Sequence, residues 1–511
     1  MNKKTLLFLL FLIFIFNIGF SSSQFVGKYN GEINVGLSLN FSNFDLSNLD
    51  TYPLEILNQI FEPLFEVDPI NFKIKPLLAK SWRIYREGKE WIFYLRKDVK
   101  WADGENFTAD DVVFSFKDIK DFHLEKIDDY SIRMISEKPL YPIFNPLPLI
   151  IPKHIFEKTL NKTEIIGTGP FMLKEYIPNK EVVLIRNPNY WRRDNEGNSL
   201  PYLDRIVFKV NYSLNDNLDI IKMPSNKFNE IENLRKEYKV YNLGPNLESD
   251  VLLINQNPNA PIPKYKLSWF QNVKFRRALA YAINENLIIE KIYYGYAHPR
   301  NSPFHPLSPY YTENTFKYSY NLEIAKKLLE DIGFRDRNND GFLEDLKGNL
   351  LSLELVVEDD NQIKGIAEII REDFNKLGIK LNIVFKNSIP LKLFQTFNWE
   401  LVLIKHKWNI DPSKDKEIFL SKGSYHFWNP FQRKPFYPWE KNIDSLFNKF
   451  LEEKSILKRK ILCYEIQRIW NKNLPLITIT SPSLIYLAKK NIRNFKPSLF
   501  LGPLWNSYEI F

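Results

Sequence analysis

Four carboxylates, Asp103, Glu105, Asp110 and Asp111, fall within nine residues in the stretch KWADGENFTADDVV (100–113). Paired acid and base catalysis needs two carboxyls facing one another across a substrate. Adjacent aspartates on a helix do not face each other, and local physics accounts for the stretch without catalysis. Asp103-Gly104 is turn chemistry. Thr108 is a good N-cap, with Asp110 and Asp111 in the first turn, where acids complement the helix dipole.

Other chemistry-bearing patterns weaken on the same kind of reading. Gly167-Thr168-Gly169-Pro170-Phe171 lacks the closing Gly-Lys-Ser/Thr of a phosphate loop, and Pro170 removes an amide; it reads as a strand entry. Asp336-Arg337-Asn338-Asn339-Asp340-Gly341 resembles the start of a calcium loop, but the twelfth position is Lys347, where a bidentate acid is required. Asp345 is the one substitute ligand; a polar surface turn is the other reading. The six histidines form no His-Glu-x-x-His, and a single cysteine, Cys463, excludes a Cys-rich zinc centre. Cys463 shares a helical stripe with Ile466 and Trp470 and reads as buried. No Gly-x-Ser-x-Gly elbow is present.

One loop carries a stronger signal: Lys405-His406-Lys407-Trp408-Asn409-Ile410-Asp411-Pro412, then Ser424-Tyr425-His426-Phe427-Trp428-Asn429-Pro430. It begins past the end of Leu401–Ile404, an apolar run typical of a buried strand. Open α/β sheets bind ligands outside such ends. Trp408, Tyr425 and Trp428 offer flat apolar faces for sugar rings or peptide side chains, and Asp411 and Asn429 offer polar fixation. The alternative is that these aromatics pack a long loop.

The elements positioning this loop are legible. Asn321 caps a helix with stripe Ala325, Leu328, Leu329 and Ile332, ended by Gly333. Leu351–Val357 reads as a strand. Ile366, Ile369, Ile370, Phe374 and Leu377 mark a helix closed by Gly378, and Ile379–Phe385 alternates as a strand. Together they predict an α/β lobe with a largely parallel sheet. Upstream, Ile132 and Met134, Val182–Ile185 and Ile206–Val210 read as strands of a mixed sheet. Downstream, a helix over 456–471 precedes a strand over 476–480.

The 511 residues suggest two or three domains. Lys3 and Lys4, the apolar run Leu6–Phe16, Asn17, Gly19 and Ser21–Ser23 read as a cleaved export signal, residues 1–23. No cysteine follows it, so the mature chain is expected free of a lipid anchor, in a periplasm. The net charge of +9 is interspersed and gives no basic face for nucleic acid.

Asn58-Gln59-Ile60-Phe61-Glu62-Pro63-Leu64, Pro76-Leu77-Leu78-Ala79-Lys80-Ser81-Trp82 and Lys100–Val112 together resemble the family 5 extracellular solute-binding proteins, the oligopeptide, dipeptide and nickel receptors of ABC importers. Gly167–Phe171 with Arg186-Asn187-Pro188-Asn189-Tyr190-Trp191, then Phe275–Ile283, then Asn494-Phe495-Lys496-Pro497, continue the match. The resemblance implies an α/β, two-lobed periplasmic binding protein of type II with an extra subdomain inserted in lobe one. Lobe one would be 24–51, 165–257 and 489–511; the inserted subdomain, 52–164; lobe two, 258–488. It implies a monomer without cofactor or enzymatic activity, closing on ligand and docking on a membrane permease. The family's peptide receptors carry an aspartate four residues before the loop proline; here that position is Trp408. With Trp428 and Trp439, the loop looks closer to a thermophile subgroup that includes oligosaccharide binders. Peptide is the first expectation, oligosaccharide the second; nickel, through His406 and His426, is the weaker third. A secreted hydrolase is the competitor from another class.

Overall fold

The computed structural model describes residues 27–37, 53–68, 73–120, 122–137, 149–158, 165–389 and 391–511. The expected signal sequence, 1–23, lies outside them.

The α/β lobe read from 321–405 is present. Strands Ser352–Glu358, Lys380–Lys386 and Leu401–Lys407 run parallel, with Glu248–Ile254 antiparallel to the last and Leu476–Thr478 beyond it. The helix Asn361–Lys376 is capped by Asp360, whose side chain accepts the amides of Gln362 and Ile363. Its apolar stripe, Ile363, Ile366, Ile370 and Phe374, is buried against one sheet face. The other face is covered by helices Pro438–Glu452 and Ile456–Asn473, which bury Phe447, Phe450, Ile466 and Trp470.

A second, mixed sheet has eight strands. Along it lie Tyr238–Pro245, Thr480–Lys489, Ile220–Met223, Glu32–Leu37, Arg205–Val210, Glu181–Arg186 and Phe171–Ile177, with Ala297–Pro299 pairing Thr480–Lys489. Ile132 and Met134 do not belong to it. They lie on Ser131–Ile135 in a separate four-stranded antiparallel sheet with Ala79–Tyr85, Glu90–Leu95 and His123–Asp128. Alternation marks a strand but carries no information about its sheet, because the partner is chosen by tertiary packing.

Strands lead directly from one large sheet to the other at two adjacent places, and the short strand Ala297–Pro299 makes a further excursion from the five-stranded sheet to pair with Thr480–Lys489 beside them. Strand 238–245 ends in one sheet and Glu248–Ile254 begins in the other; Leu476–Thr478 ends in the second and Thr480–Lys489 returns to the first. The crossings lie near 246 and 479. They are bonded together: Asn246 N–H donates to the Pro482 carbonyl at 2.8 Å and Ile479 N–H to the Asp250 carbonyl at 2.9 Å. Asp250 is fully buried beside them and accepts the hydroxyls of Tyr293 and Thr480. Far from these crossings, Lys454, between the last two long helices, pairs with Glu87 on the four-stranded sheet's first hairpin.

Candidate functional site

The parallel strands of the five-stranded sheet all end at one edge. Glu248 stands opposite Lys407 in the antiparallel register, so the first crossing segment enters at that same edge. The loop that starts at Trp408 is therefore laid against it, and Trp408 N–H donates to the Leu247 carbonyl at 2.9 Å. Open α/β sheets in general hold ligands outside this kind of edge.

The five residues singled out in the sequence are not equivalent there. Trp408 is fully buried; its indole N–H donates to Ser249 Oγ at 2.6 Å and its ring meets His406 edge-on. Trp428 is also fully buried, with its indole held by Glu440 and its ring against Trp470 and Trp439. Asp411 caps the short turn Pro412–Asp415 by accepting the Ser413 amide at 3.0 Å. Asn429 is buried and donates to Gln432. Tyr425 is 54% exposed. Of these five side chains, Tyr425 alone is largely open to solvent; the others hold the loop in shape.

Side chains that the sequence reading passed over gather beside Trp408. Arg300, four residues past Tyr296 in a proline-rich loop, is 4% exposed. Its guanidinium donates to the carbonyls of Ser302 and Pro303 at 3.1 and 3.2 Å and sits 5.9 Å from the Trp408 ring centre. His305 lies 3.0 Å from the carbonyl oxygens of Pro245 and Asn246 in the first crossing. Burial, reinforced by the Arg300 charge, pulls both His305 and His406 down to about 4, so both rings are neutral at pH 7. The signal was a lone arginine between prolines, Pro299 and Pro303, which periodicity cannot weigh.

The other sequence patterns are structural. Asp111 caps the helix Ala109–Ser115, accepting Thr108 N–H at 2.9 Å, the Trp101 indole at 3.2 Å and Lys153 N–H at 3.0 Å. Gly167 and Gly169 exist because the helix Leu54–Ile60 comes too close: a Cβ on Gly167 would stand 1.7 Å from the Ile60 carbonyl oxygen. Buried Glu62 accepts Tyr190 Oη at 3.2 Å and Trp191 Nε1 at 2.9 Å, while Arg192 pairs with Glu66 at 3.0 Å. These contacts fasten the segment bearing the four-stranded sheet to the eight-stranded one. Arg276 is buried and donates to the carbonyls of Phe270, Asn473 and Leu474, closing the C-terminus of helix Ile456–Asn473. Cys463 is buried in the same helix, and burial pushes its thiol up. In the 336–345 turn, carboxylate oxygens of Asp336, Asp340 and Glu344 come within 4.8 Å of one another. They accept the Gly341, Phe342 and Arg337 amides, as a polar turn does. Asp345 turns instead to Asn349 and Lys347. His426 has both ring nitrogens committed, to the Ile418 carbonyl and to Glu440. Among the described residues no helix is long and apolar enough to cross a membrane.

The profile of the bacterial extracellular solute-binding proteins, family 5 Middle, matches residues 73–426. The chain is 25% identical over 490 residues to a probable ABC transporter-binding protein of Deinococcus radiodurans, covering 82% of each. It is 26% identical to the oligopeptide-binding protein AppA of Bacillus subtilis, over 88% of this chain and 86% of that one. The structure of AppA in complex with a nonapeptide superposes with a TM-score of 0.69, covering 95% of this chain and 99% of AppA. A periplasmic alpha-galactoside-binding protein of Rhizobium meliloti is 24% identical, over 85% of this chain and 73% of its own.

Proposed function

Because the chain belongs to the bacterial extracellular solute-binding proteins of family 5, we propose that it captures peptides in the crevice between its two large sheets and delivers them to the permease of an ABC importer. The observation that carries the reading is the pair of bonded crossings near 246 and 479. Two short adjacent connections, with the Ala297–Pro299 pairing beside them, are what a hinge requires, and the sheet edge with Trp408 lies at them. We assign lobe one to the eight-stranded sheet, lobe two to the five-stranded sheet, and the inserted subdomain to the four-stranded sheet, with 1–23 removed on export to a periplasm.

Ligand shifts such a hinge only by its differential affinity for the closed form. Tyr425 and His406, at the rim, supply contacts that closure can complete; Trp408, Trp428, Asp411 and Asn429 keep that rim in place. No bond is made or broken. An oligosaccharide is the second reading, favoured by the likeness to an alpha-galactoside-binding protein and by the aromatic loop. Native mass spectrometry of the purified protein, followed by thermal melts with a peptide library and with alpha-galactosides, tests both. The expected result is a peptide that raises Tm and is recovered intact. Recovery of cleaved ligand would establish a hydrolase instead.

A further inference from the structure

The bodies built on the two large sheets are joined covalently at the crossings, and a side-chain contact joins them by a second route. Its first end is the hairpin of strands Ala79–Tyr85 and Glu90–Leu95. That hairpin goes with the eight-stranded sheet. Arg96, just past its second strand, lies 4.0 Å over the ring of Trp191, which follows strand Glu181–Arg186 and is bonded to Glu62 at 2.9 Å. The hairpin's turn holds Arg86 and Glu87 at φ of 49° and 57°, and non-glycine residues keep such angles only where the surroundings fix them. Glu87 is thereby set at the tip.

The other end is Lys454, in the three-residue corner between helices Pro438–Glu452 and Ile456–Asn473. Glu453 accepts the Ser455 amide at 2.8 Å and Ser455 caps the second helix, which fixes the corner. Both helices are packed on the five-stranded sheet and go with it. The second helix has 18 residues, about 27 Å at its rise per residue, and runs from this corner to the strand that enters the second crossing. Lys454 therefore stands a helix length away from the hinge, where a small rotation becomes a large separation.

Across this gap Lys454 Nζ donates to Glu87. Closer cations do not take its place: Arg86 turns to Glu90 at 4.0 Å, and Lys89 acts on Glu87 less than Lys454, whose bond and charge hold the Glu87 carboxyl below its ordinary range. The Lys454 and Glu87 side chains are 48% and 74% exposed, so salt screens the pair. We propose that Lys454 and Glu87 form a clasp, a contact made only when the two bodies meet, which biases the hinge towards closure and makes its opening sensitive to ionic strength. This rests on the hinge reading and adds to it a closing contact that the ligand does not make.

Both side chains are exposed, so reversing either charge leaves the fold intact. Small-angle X-ray scattering of the chain, freed of bound ligand by refolding, tests the clasp in wild type, Lys454→Glu, Glu87→Lys and the double swap. Each single reversal, and wild type when salt is raised from about 0.05 to about 0.5 M, should enlarge the radius of gyration through a shift of about two- to fivefold in the opening equilibrium. The double swap should restore the wild-type value. Enlarged single variants that the swap fails to restore overturn the pairing. Equal dimensions in all four proteins, with compaction still seen on adding the peptide library, overturn the clasp and leave the hinge standing. Dimensions that change with neither charge, salt nor peptide overturn the hinge as well.

Discussion

Trp428 donates its indole N–H to Oε1 of Glu440 at 2.9 Å, and His426 Nε2 meets the same oxygen at 3.1 Å. The second oxygen receives the amides of Phe436 and Tyr437, at 2.7 and 3.0 Å, at the start of helix Pro438–Glu452. Burial alone would raise the Glu440 carboxyl, but the donors from His426, the Tyr437 amide and Trp428 outweigh it and hold it low. Glu440→Ala strands four donors, two of them buried. It should cost about 3 kcal/mol, as removal of one partner from a buried charged cluster does. Urea denaturation of the two proteins checks it; an unchanged midpoint would remove Glu440 from the loop's support.

The buried tryptophans and the exposed tyrosine should separate stability from binding. Trp408→Ala and Trp428→Ala each open a large cavity and should cost about 3–5 kcal/mol. Tyr425→Ala should change stability by no more than about 0.5 kcal/mol and weaken ligand binding. Calorimetry and thermal melts on the three variants measure both quantities. A destabilised Tyr425 variant with wild-type affinity would exchange the roles.

How far the sequence carries can be judged at Trp408 and Arg300. Helix and strand periodicity located the strands 352–358 and 380–386 within a residue, since the buried stripe of 361–376 and the alternation of 380–386 are local properties; the 401–407 strand runs three residues past its apolar start. That the 408 loop leaves the sheet at the end of the 401–407 strand followed from the apolar run. Whether Trp408 faces ligand or core did not, because that depends on Ser249 and Leu247, some 160 residues away. The same limit hid Arg300, whose place beside Trp408 only the fold reveals. Asp250 likewise looks unremarkable in Ser249-Asp250-Val251 and becomes notable through Tyr293 and Thr480.

Gly167→Ala should be among the most damaging small substitutions. The added methyl meets the backbone of Ile60, not a side chain that can rotate away. Overpacking of this kind costs about 1–3 kcal/mol or more. The Tm of Gly167→Ala compared with Gly197→Ala, where nothing lies within 4 Å but φ is +85°, tells steric contact from backbone strain. A smaller loss at 167 than at 197 would contradict the close approach.

Asp250 sets a pH dependence at the crossings. Burial pushes its carboxyl up to about 6, against the hydrogen bonds of Thr480 and Tyr293. The folded chain then holds a proton that the unfolded chain releases near pH 4. Stability contributed by that proton is present below about pH 4 and lost as pH rises to about 6. Asp250→Asn should flatten this part of the profile, by about 1–3 kcal/mol across the window. Denaturation midpoints at pH 4, 5, 6 and 7 for both proteins supply the comparison; parallel curves would argue that Asp250 is ionised throughout.

Thr480–Lys489 is an inner strand of its sheet, flanked by Tyr238–Pro245 and Ile220–Met223. The ribosome makes those flanking strands more than 200 residues before the strand that joins them. At synthesis rates of about 5–20 residues per second, the two wait on the order of tens of seconds with open edges. The sheet cannot close during that interval. Until Thr480–Lys489 is made, segments 220–223 and 238–245 each lack the neighbour that the finished sheet gives them, and an unpaired edge of that kind is a template for wrong pairing.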